Sequence, residues 1–235
     1  MTSRSRRKPP SPSPVLTLLR IKKFIIPLRP PVFSLTMNAP RRGGYSPFQI
    51  LVSVLLSSRT TDAVTDKAAQ RLFAKAANPS QLARLNEREI SHLIYPVGFY
   101  RQKAARICRI ARDIRAGRPV PQTFSGLTAL PGVGPKTANL VLSLAFGVPT
   151  IAVDTHVFRI SRRLGWSTGK NPAVVEEQLR GLFPARYWPQ VNPVLVGFGQ
   201  TVCRPLRPKC GDCILRKMCP SAVNRSGTTK PRSIE

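Results

Sequence analysis

The feature that most limits the fold of this chain is a helical periodicity that begins at Pro47 and continues almost to the C-terminal cysteines. Apolar residues recur there at spacings of three and four, and no segment shows the strict alternation of a half-buried strand. Glycines that end helices follow the periodic segments at Gly117, Gly147 and Gly165. The pattern predicts an all-α fold.

The same pattern gives the expected helix positions. Asn86 and Glu89 have the spacing of a capping box, in which each side chain bonds the other residue's backbone N–H at a helix start. Residues 15–24 predict an amphipathic N-terminal helix whose apolar face contains Val15, Leu18, Leu19 and Ile26. The remaining helices are predicted over residues 47–56, 61–76, 136–146, 155–164, 173–183 and 191–202, and another, with the apolar stripe Ile107, Ile110, Ala111 and Ile114, ends at Gly117.

The charge of the chain indicates a polyanionic partner. Its 235 residues include 38 Lys or Arg and 10 Asp or Glu, for a net charge of +28, and residues 43–220 alone contain 25 basic and 9 acidic residues. No run of 18 uncharged apolar residues exists, so a membrane span is not expected. Because no secretory signal is recognised either, we expect a reducing compartment and no disulfide framework for the five cysteines.

The first 42 residues carry ten basic residues and no acidic one. Three interpretations remain open. The segment is a basic arm that adds nonspecific DNA affinity, an organelle-targeting peptide, or the result of a start placed too early, with Met37 as the true start.

A glycine-rich hairpin, LPGVGPKTA at residues 130–138, joins two predicted helices. Its glycines allow close approach of the backbone to a ligand, and the N–H groups at the start of the following helix attract phosphate. We therefore predict a sequence-independent clamp on the DNA backbone, although a plain turn between packed helices is an alternative. The predicted DNA-binding residues of the hairpin are Gly132, Val133, Gly134 and Thr137.

Lys136 lies in the first turn of that following helix. The positive end of the helix dipole and neighbouring cations disfavour its protonated form, and a free amine is a nucleophile that attacks a sugar carbon and forms a Schiff base. A simple phosphate contact is the alternative that the residue alone leaves open.

Asp154 is the only carboxylate between Asp113 and Glu176, in a strongly basic region. An isolated negative charge opposes DNA binding and therefore needs a reason. Asp154 either caps the next helix or stabilises positive charge on a sugar and assists proton transfer, and the two roles are compatible. Together with Lys136 it is the predicted catalytic pair.

Four of the five cysteines follow the spacing C-x6-C-x2-C-x5-C within 17 residues: Cys203, Cys210, Cys213 and Cys219. This density predicts a metal site. Zinc usually takes two close cysteine pairs, whereas one compact loop with four thiolates favours a [4Fe-4S] cluster; zinc, a disulfide pair and free thiols stay as alternatives. Cys108 stands apart and is predicted to lie in the core.

Together, LPGVGPKTANLVLSLAFGVPTIAVDTHVFRI (residues 130–160) and the cysteine loop resemble the endonuclease III family of helix-hairpin-helix DNA glycosylases, and the resemblance covers about residues 47–220. It implies a six-helix barrel with the hairpin at residues 41–148, packed against a [4Fe-4S] cluster domain at residues 149–220. An N-terminal extension, residues 1–40, whose helix joins the cluster domain, and a flexible C-terminal tail, residues 221–235, complete the expected domain organisation.

The resemblance also implies a reaction on double-stranded DNA that contains damaged bases or abasic sites. The damaged base is flipped into the cleft, Lys136 attacks the deoxyribose anomeric carbon, and Asp154 activates this nucleophile. β-Elimination from the Schiff base then nicks the strand 3′ to the lesion. We expect a monomeric base excision repair enzyme for oxidised or ring-saturated pyrimidines, in the bacterial cytoplasm or in the eukaryotic nucleus or mitochondrion. The alternatives are a glycosylase for thymine or uracil opposite guanine and a noncatalytic DNA-damage-binding protein.

One position departs from the family pattern. Relatives typically carry Gln in the DNA-inserting loop, where PFQILVSVLLSSRTTD (residues 47–62) places Arg59. Arg59 is therefore expected to fill the gap left by the flipped base and to alter the preference for the opposite base, or simply to bind phosphate.

Overall fold

The structure is a computed structural model that describes residues 13–31, 44–115 and 118–223. Within these ranges all regular secondary structure is helical, which confirms the predicted all-α fold. The helices are α1 (Pro14–Ile25), α2 (Pro47–Ser57), α3 (Asp62–Lys75), α4 (Pro79–Leu82), α5 (Glu87–Ile94), α6 (Tyr100–Arg115), α7 (Phe124–Thr128), α8 (Pro135–Phe146), α9 (Thr155–Arg163), α10 (Pro172–Leu182) and α11 (Trp188–Thr201). Short 3-10 helices occur at Ile26–Leu28, Ala185–Tyr187 and Cys210–Asp212.

Most helix boundaries follow the sequence signals. Asn86 and Glu89 form the predicted capping box at the start of α5, with reciprocal hydrogen bonds of 2.9 and 2.7 Å. Gly147 ends α8 in the left-handed conformation, at φ 70°. The short helices α4 and α7 were not predicted, because four or five residues are too few to show a helical period.

The N-terminal helix α1 packs against α11. Its buried stripe consists of Leu18, Ile21 and Ile25, at spacings of three and four. The predicted face was partly wrong, since Leu19 is 37% exposed and Ile26 is 53% exposed. The contact with α11 determines which apolar residues of α1 are buried, and the sequence pattern alone did not decide this.

The described residues form two hydrophobic cores. The first is built from α2 to α8 and includes Leu51, Ile107 and Leu142, together with the fully buried Cys108, as predicted. The second core joins α1 to α9, α10 and α11, and includes Ile160 and Phe198. Lys136, in the first turn of α8, and Thr155, at the start of α9, line one cavity between the two cores.

Some sequence predictions lie outside the described residues. They concern the basic arm at residues 1–12 and 32–43, the start at Met37, the helix end at Gly117 and the tail from residue 224 onward. Among the helices that the structure describes, none combines the length and the apolar character that crossing a bilayer requires. The division of the chain at residues 148 and 149 stays a prediction.

Candidate active site

A cavity of about 1180 Å³ opens where the two cores adjoin. The first core contributes side chains of α2, the loop after it and α8, and the second contributes the start of α9 and one side of α11. Lys136 and Asp154, the two predicted catalytic residues, both line this cavity. Other polar residues around it include Arg59, Thr60, Asp62, His156, Asn192 and Gln200.

The glycine hairpin positions Lys136 at one end of α8. Gly132 has φ 81°, which favours glycine, and a Cβ there would lie 2.5 Å from the flexible side chain of Arg106, which would have to move. Gly134 is the N-cap of α8 and makes no side-chain capping bond, and a Cβ added there would meet no described atom within 4 Å. The start of α8 is therefore open to an external anion.

The other predicted hairpin residues are oriented inward. The Val133 side chain is buried in the first core, and its N–H donates to the Leu130 carbonyl at 3.1 Å. Thr137 is buried as well. These two residues anchor the hairpin, so backbone groups near Gly132 and Gly134 offer the surface that a phosphate can approach.

Asp154 is the N-cap of α9, as its sequence position predicted. Its Oδ1 accepts the Val157 N–H at 2.8 Å, which fixes the carboxylate at the cavity. Half-burial of the residue keeps the carboxylate accessible from the cavity. Capping and a chemical role are thus compatible in the structure.

Asp62, the first residue of α3, is a second carboxylate in the cavity that sequence reasoning missed. Burial raises the pKa of this carboxyl, whereas the hydrogen bond from Gln200 Nε2, at 2.8 Å, lowers it. The nearby Asp66 raises the pKa again, and the charges of Lys136 and His156 lower it. Its place directly after the Arg59 loop was the available signal, but only the fold brings it close to Lys136.

His156 also lies in the cavity, and its Nδ1 is 3.2 Å from an Arg159 guanidinium nitrogen. Because guanidinium only donates, a hydrogen bond between the two groups needs Nδ1 as the acceptor and places the ring proton on Nε2. Burial lowers the pKa of His156; Asp154 and Asp62 raise it, and Arg159 and Lys136 lower it. Gly199 makes room for this pair, since a Cβ there would lie 2.3 Å from Nδ1.

Arg59 lies exposed at the cavity rim in the left-handed region, at φ 52°. Its guanidinium carbon is 5.3 Å from the centroid of the Phe99 ring, within the range of a cation–π contact. Phe99 is itself left-handed, at φ 58°, and is 53% exposed. Phe99 was missed in the sequence because nothing there shows that its turn meets the Arg59 loop.

The four C-terminal cysteines line one second cavity, between the end of α9 and the loop after α11. All four are half-buried free thiols, and burial raises the pKa of Cys213 and Cys219. Within the described chain, no three His, Cys, Asp or Glu side chains are arranged to hold a metal ion. The structure therefore brings the predicted ligands to one place without giving them a ligand geometry.

Arg163, in the last turn of α9, ties the cysteine loop to that helix. Its guanidinium donates to Cys203 Sγ at 3.4 Å and to the carbonyls of Arg204 and Pro205 at 2.8 and 2.7 Å. The helix that Asp154 starts at the large cavity thus ends at the cysteine cavity.

Comparison with known proteins agrees with this architecture. Residues 52–185 match the HhH-GPD superfamily base excision DNA repair protein family. Endonuclease III of Thermotoga maritima is 44% identical over 175 residues, which are 74% of this chain and 82% of that protein. A non-covalent endonuclease III–DNA complex superposes with a TM-score of 0.72 at 33% identity, and a trapped covalent endonuclease III–DNA intermediate with 0.71 at 34%. Each alignment covers 87% of this chain and 96% of the solved chain.

Proposed function

The chain belongs to the endonuclease III family of HhH-GPD base excision DNA repair proteins, and we propose that it is a DNA glycosylase and AP lyase that removes oxidised or ring-saturated pyrimidines with Lys136 as its nucleophile. Its partner is double-stranded DNA that carries damaged bases or abasic sites. The observation that carries the proposal is one cavity that contains both Lys136 and Asp154 next to an open helix start.

The open start of α8 has a specific part in this proposal. Backbone N–H groups near Gly134 hold a phosphate of the damaged strand, and Lys136, two residues further along the chain, then points at the sugar side of that strand. A cavity of about 1180 Å³ is large enough for a flipped nucleotide. Phosphate binding and nucleophile placement are thus consequences of the same helix start.

The reaction that these residues support has two stages. In the first, the Lys136 nitrogen forms a bond to the anomeric carbon, and the glycosidic bond electrons leave with the base, which takes up a proton from water. Asp154 stabilises the positive charge that develops on the sugar and accepts the proton that Lys136 loses. The C1′–O4′ bond then breaks as O4′ takes that proton from Asp154, and the opened sugar is left as a Schiff base on Lys136.

In the second stage the Schiff base withdraws electrons from the sugar. A base removes a C2′ proton, the bond between C3′ and the phosphate oxygen breaks, and the 3′ strand leaves as its 5′-phosphate. Water finally hydrolyses the imine and releases Lys136. The strand is nicked 3′ to the lesion by elimination, so no water attacks phosphorus.

We propose that Cys203, Cys210, Cys213 and Cys219 hold a [4Fe-4S] cluster. The four thiols fit this group because they line one cavity. Two of the sulfur atoms also accept hydrogen bonds, Cys203 Sγ from the Arg163 guanidinium and Cys213 Sγ from the Leu215 N–H. A bound cluster would supply thiolate–iron bonds that brace the loop with the basic residues Arg204, Arg207, Lys209, Arg216 and Lys217. Iron and acid-labile sulfide in the purified protein support this assignment, and zinc in their place contradicts it.

The lesion class is tested by comparing two duplexes. One carries thymine glycol opposite adenine, and the other carries thymine opposite guanine; base release is followed in single-turnover reactions. We expect excision of thymine glycol to be the faster by at least about tenfold. Faster release of mispaired thymine would instead assign the mismatch-directed activity, and release of neither base with intact DNA binding would contradict both lesion assignments.

A further inference from the structure

A buried lysine outside the catalytic pair lies under the Arg59 loop. Lys103, on α6, is 6% exposed, and its ammonium group donates to the Leu56 carbonyl at 2.8 Å, to the Ser58 carbonyl at 2.5 Å and to Thr60 Oγ1 at 3.3 Å. In the described part of the chain it has no carboxylate within ion-pair distance. Its charge is therefore balanced by the dipoles of the last turn of α2 and of the loop after it.

Burying the Lys103 ammonium group without a carboxylate partner costs free energy. Burial, and then the charge of Arg106 on the same helix, lowers the pKa of Lys103 to about 8. A methionine has a similar length and would fill the same space without a desolvation cost. What methionine lacks is three donors that fix residues 56–60 in one conformation.

The conformation that Lys103 fixes contains unusual backbone strain. Arg59 and Phe99 both have positive φ, a left-handed conformation that is unfavourable for a residue with a side chain. The two turns contact each other directly, because the Gly98 N–H donates to Thr60 Oγ1 at 3.1 Å and a Cβ at Gly98 would lie 2.5 Å from the Arg59 carbonyl oxygen. Thr60 is shared, since its hydroxyl also accepts from Lys103.

These hydrogen bonds place the side chains of Arg59 and Phe99 next to each other. We call the surface that the two residues form the wedge. The guanidinium lies over the ring at 5.3 Å, and both residues are exposed. A flat, cationic and aromatic surface of this kind stacks on a base and donates hydrogen bonds to it. Its place at the rim of the cavity is where an unpaired base would remain after its partner is flipped.

We propose that Lys103 is a positioning residue: its ammonium group locks the Arg59 loop against the Phe99 turn, and the wedge so formed determines how strongly excision depends on the base opposite the lesion. This inference rests on the proposed function, because the wedge acts only on duplex DNA. Lys103 itself contacts neither the lesion nor the opposite base in this account, and acts through Arg59.

The first experiment measures how single-turnover excision of thymine glycol changes when adenine opposite the lesion is replaced by guanine. Lys103→Met should bring the ratio of the two rates close to one, as should Arg59→Ala, whereas the wild type should show a ratio of at least about threefold. In the Arg59→Ala background, adding Lys103→Met should change the ratio no further. The matched control Arg109→Met, which removes an exposed charge from the same helix, should keep the wild-type ratio.

If Lys103 only stabilised the fold, Lys103→Met would lower the excision rates opposite adenine and opposite guanine in proportion, and their ratio would be preserved. That result would overturn the proposal, as would a wild-type ratio of one. Thr60→Val provides a second variant that leaves Lys103 in place and removes the hydroxyl shared with Gly98. It should also lower the ratio, even if Lys103→Met does not fold.

A binding measurement separates this inference from the choice of lesion. 2-Aminopurine is placed opposite a tetrahydrofuran abasic analogue, which the enzyme binds and cannot cleave, and fluorescence reports unstacking of that base. The wild type and Arg109→Met should increase the fluorescence, and Lys103→Met should lose most of the increase at saturating protein. An equal increase in Lys103→Met would contradict the proposal, and this readout stays valid even if the enzyme excises a different lesion.

Discussion

The helices α8 and α9 both start at the large cavity, but their first turns are satisfied in opposite ways. Gly134 caps α8 without a side-chain bond, whereas Asp154 caps α9 with its own carboxylate at 2.8 Å. One helix start remains available to an anion from outside, and the other carries an anion of the protein. In the proposed function this difference explains how a very basic protein keeps a carboxylate in its DNA cleft, because phosphate would be drawn to α8 while Asp154 would face the sugar.

The largest effect is expected from removing the charge at the α9 start while keeping its cap. Asp154→Asn retains an oxygen that accepts the Val157 N–H, so stability should change by less than about 1 kcal/mol. Excision of thymine glycol should nevertheless slow by about 10²- to 10⁴-fold, since the charge that stabilises the sugar cation is lost. Thermal unfolding and single-turnover excision measure the two effects.

Asp154→Ala provides the matched comparison, because it removes both the charge and the cap. It should lose a similar factor in rate and a further ~1 kcal/mol of stability. If Asp154→Asn kept the wild-type rate, Asp154 would be a cap and nothing more, and the contrast between the two helix starts would have no catalytic meaning.

A smaller effect is expected from making α8 resemble α9. Gly134 has φ −93° and open space around a new Cβ, so Gly134→Asp can adopt the capping conformation without strain. Its carboxylate should stabilise the helix by a few tenths of a kcal/mol and occupy the N–H groups that a phosphate needs. Affinity for duplex DNA should fall by about tenfold or more, and the slope of log affinity on log salt should flatten by about 0.9.

Gly134→Asn supplies the control for that change, since it caps the helix without a charge. It should weaken DNA binding less than Gly134→Asp. Equal affinities for wild type and Gly134→Asp would show that the start of α8 does not hold a phosphate, and the predicted clamp would then be only a turn.

The smallest effect concerns a third helix start at the cavity, where Asp62 begins α3. Burial raises the pKa of this carboxyl in the folded state, so in the window just above pH 3.8 the folded protein binds more protons than the unfolded chain. The favourable contribution of the protonated group is therefore lost as pH rises through that window. Asp62→Asn, whose amide oxygen still accepts from Gln200, should gain stability relative to wild type as pH rises above 3.8. A difference in unfolding free energy that does not change with pH would contradict this.

The sequence predicted both helix starts because their determinants are local. Gly134, Pro135 and Lys136 are neighbours in the chain, and an Asp before a periodic segment is a capping signal wherever it occurs. The boundaries of α11 were less accurate: it starts at Trp188, three residues before the predicted position, because Pro189 and Pro193 interrupt the apolar pattern.

What the sequence did not show depends on contacts between distant segments. Lys103 is 43 residues from Thr60, and Gln200 is 138 residues from Asp62, so neither hydrogen bond has a local signal. Phe99 belongs to the wedge only because the turn at Gly98 packs on the Arg59 carbonyl. For the same reason His156, which looks like an ordinary helix residue in the sequence, acquired its orientation from Arg159 and Gly199 in the structure.

Borohydride trapping on a duplex with a preformed abasic site shows whether Lys136, at the open start of α8, is the nucleophile. Reduction converts a Schiff base to a stable amine, so the adduct reports the covalent step and does not depend on lesion choice. Wild type and the exposed control Lys170→Ala should both give the protein–DNA adduct, and Lys136→Ala should give none while still binding the duplex. An undiminished adduct in Lys136→Ala would contradict the account and place the nucleophile elsewhere in the chain.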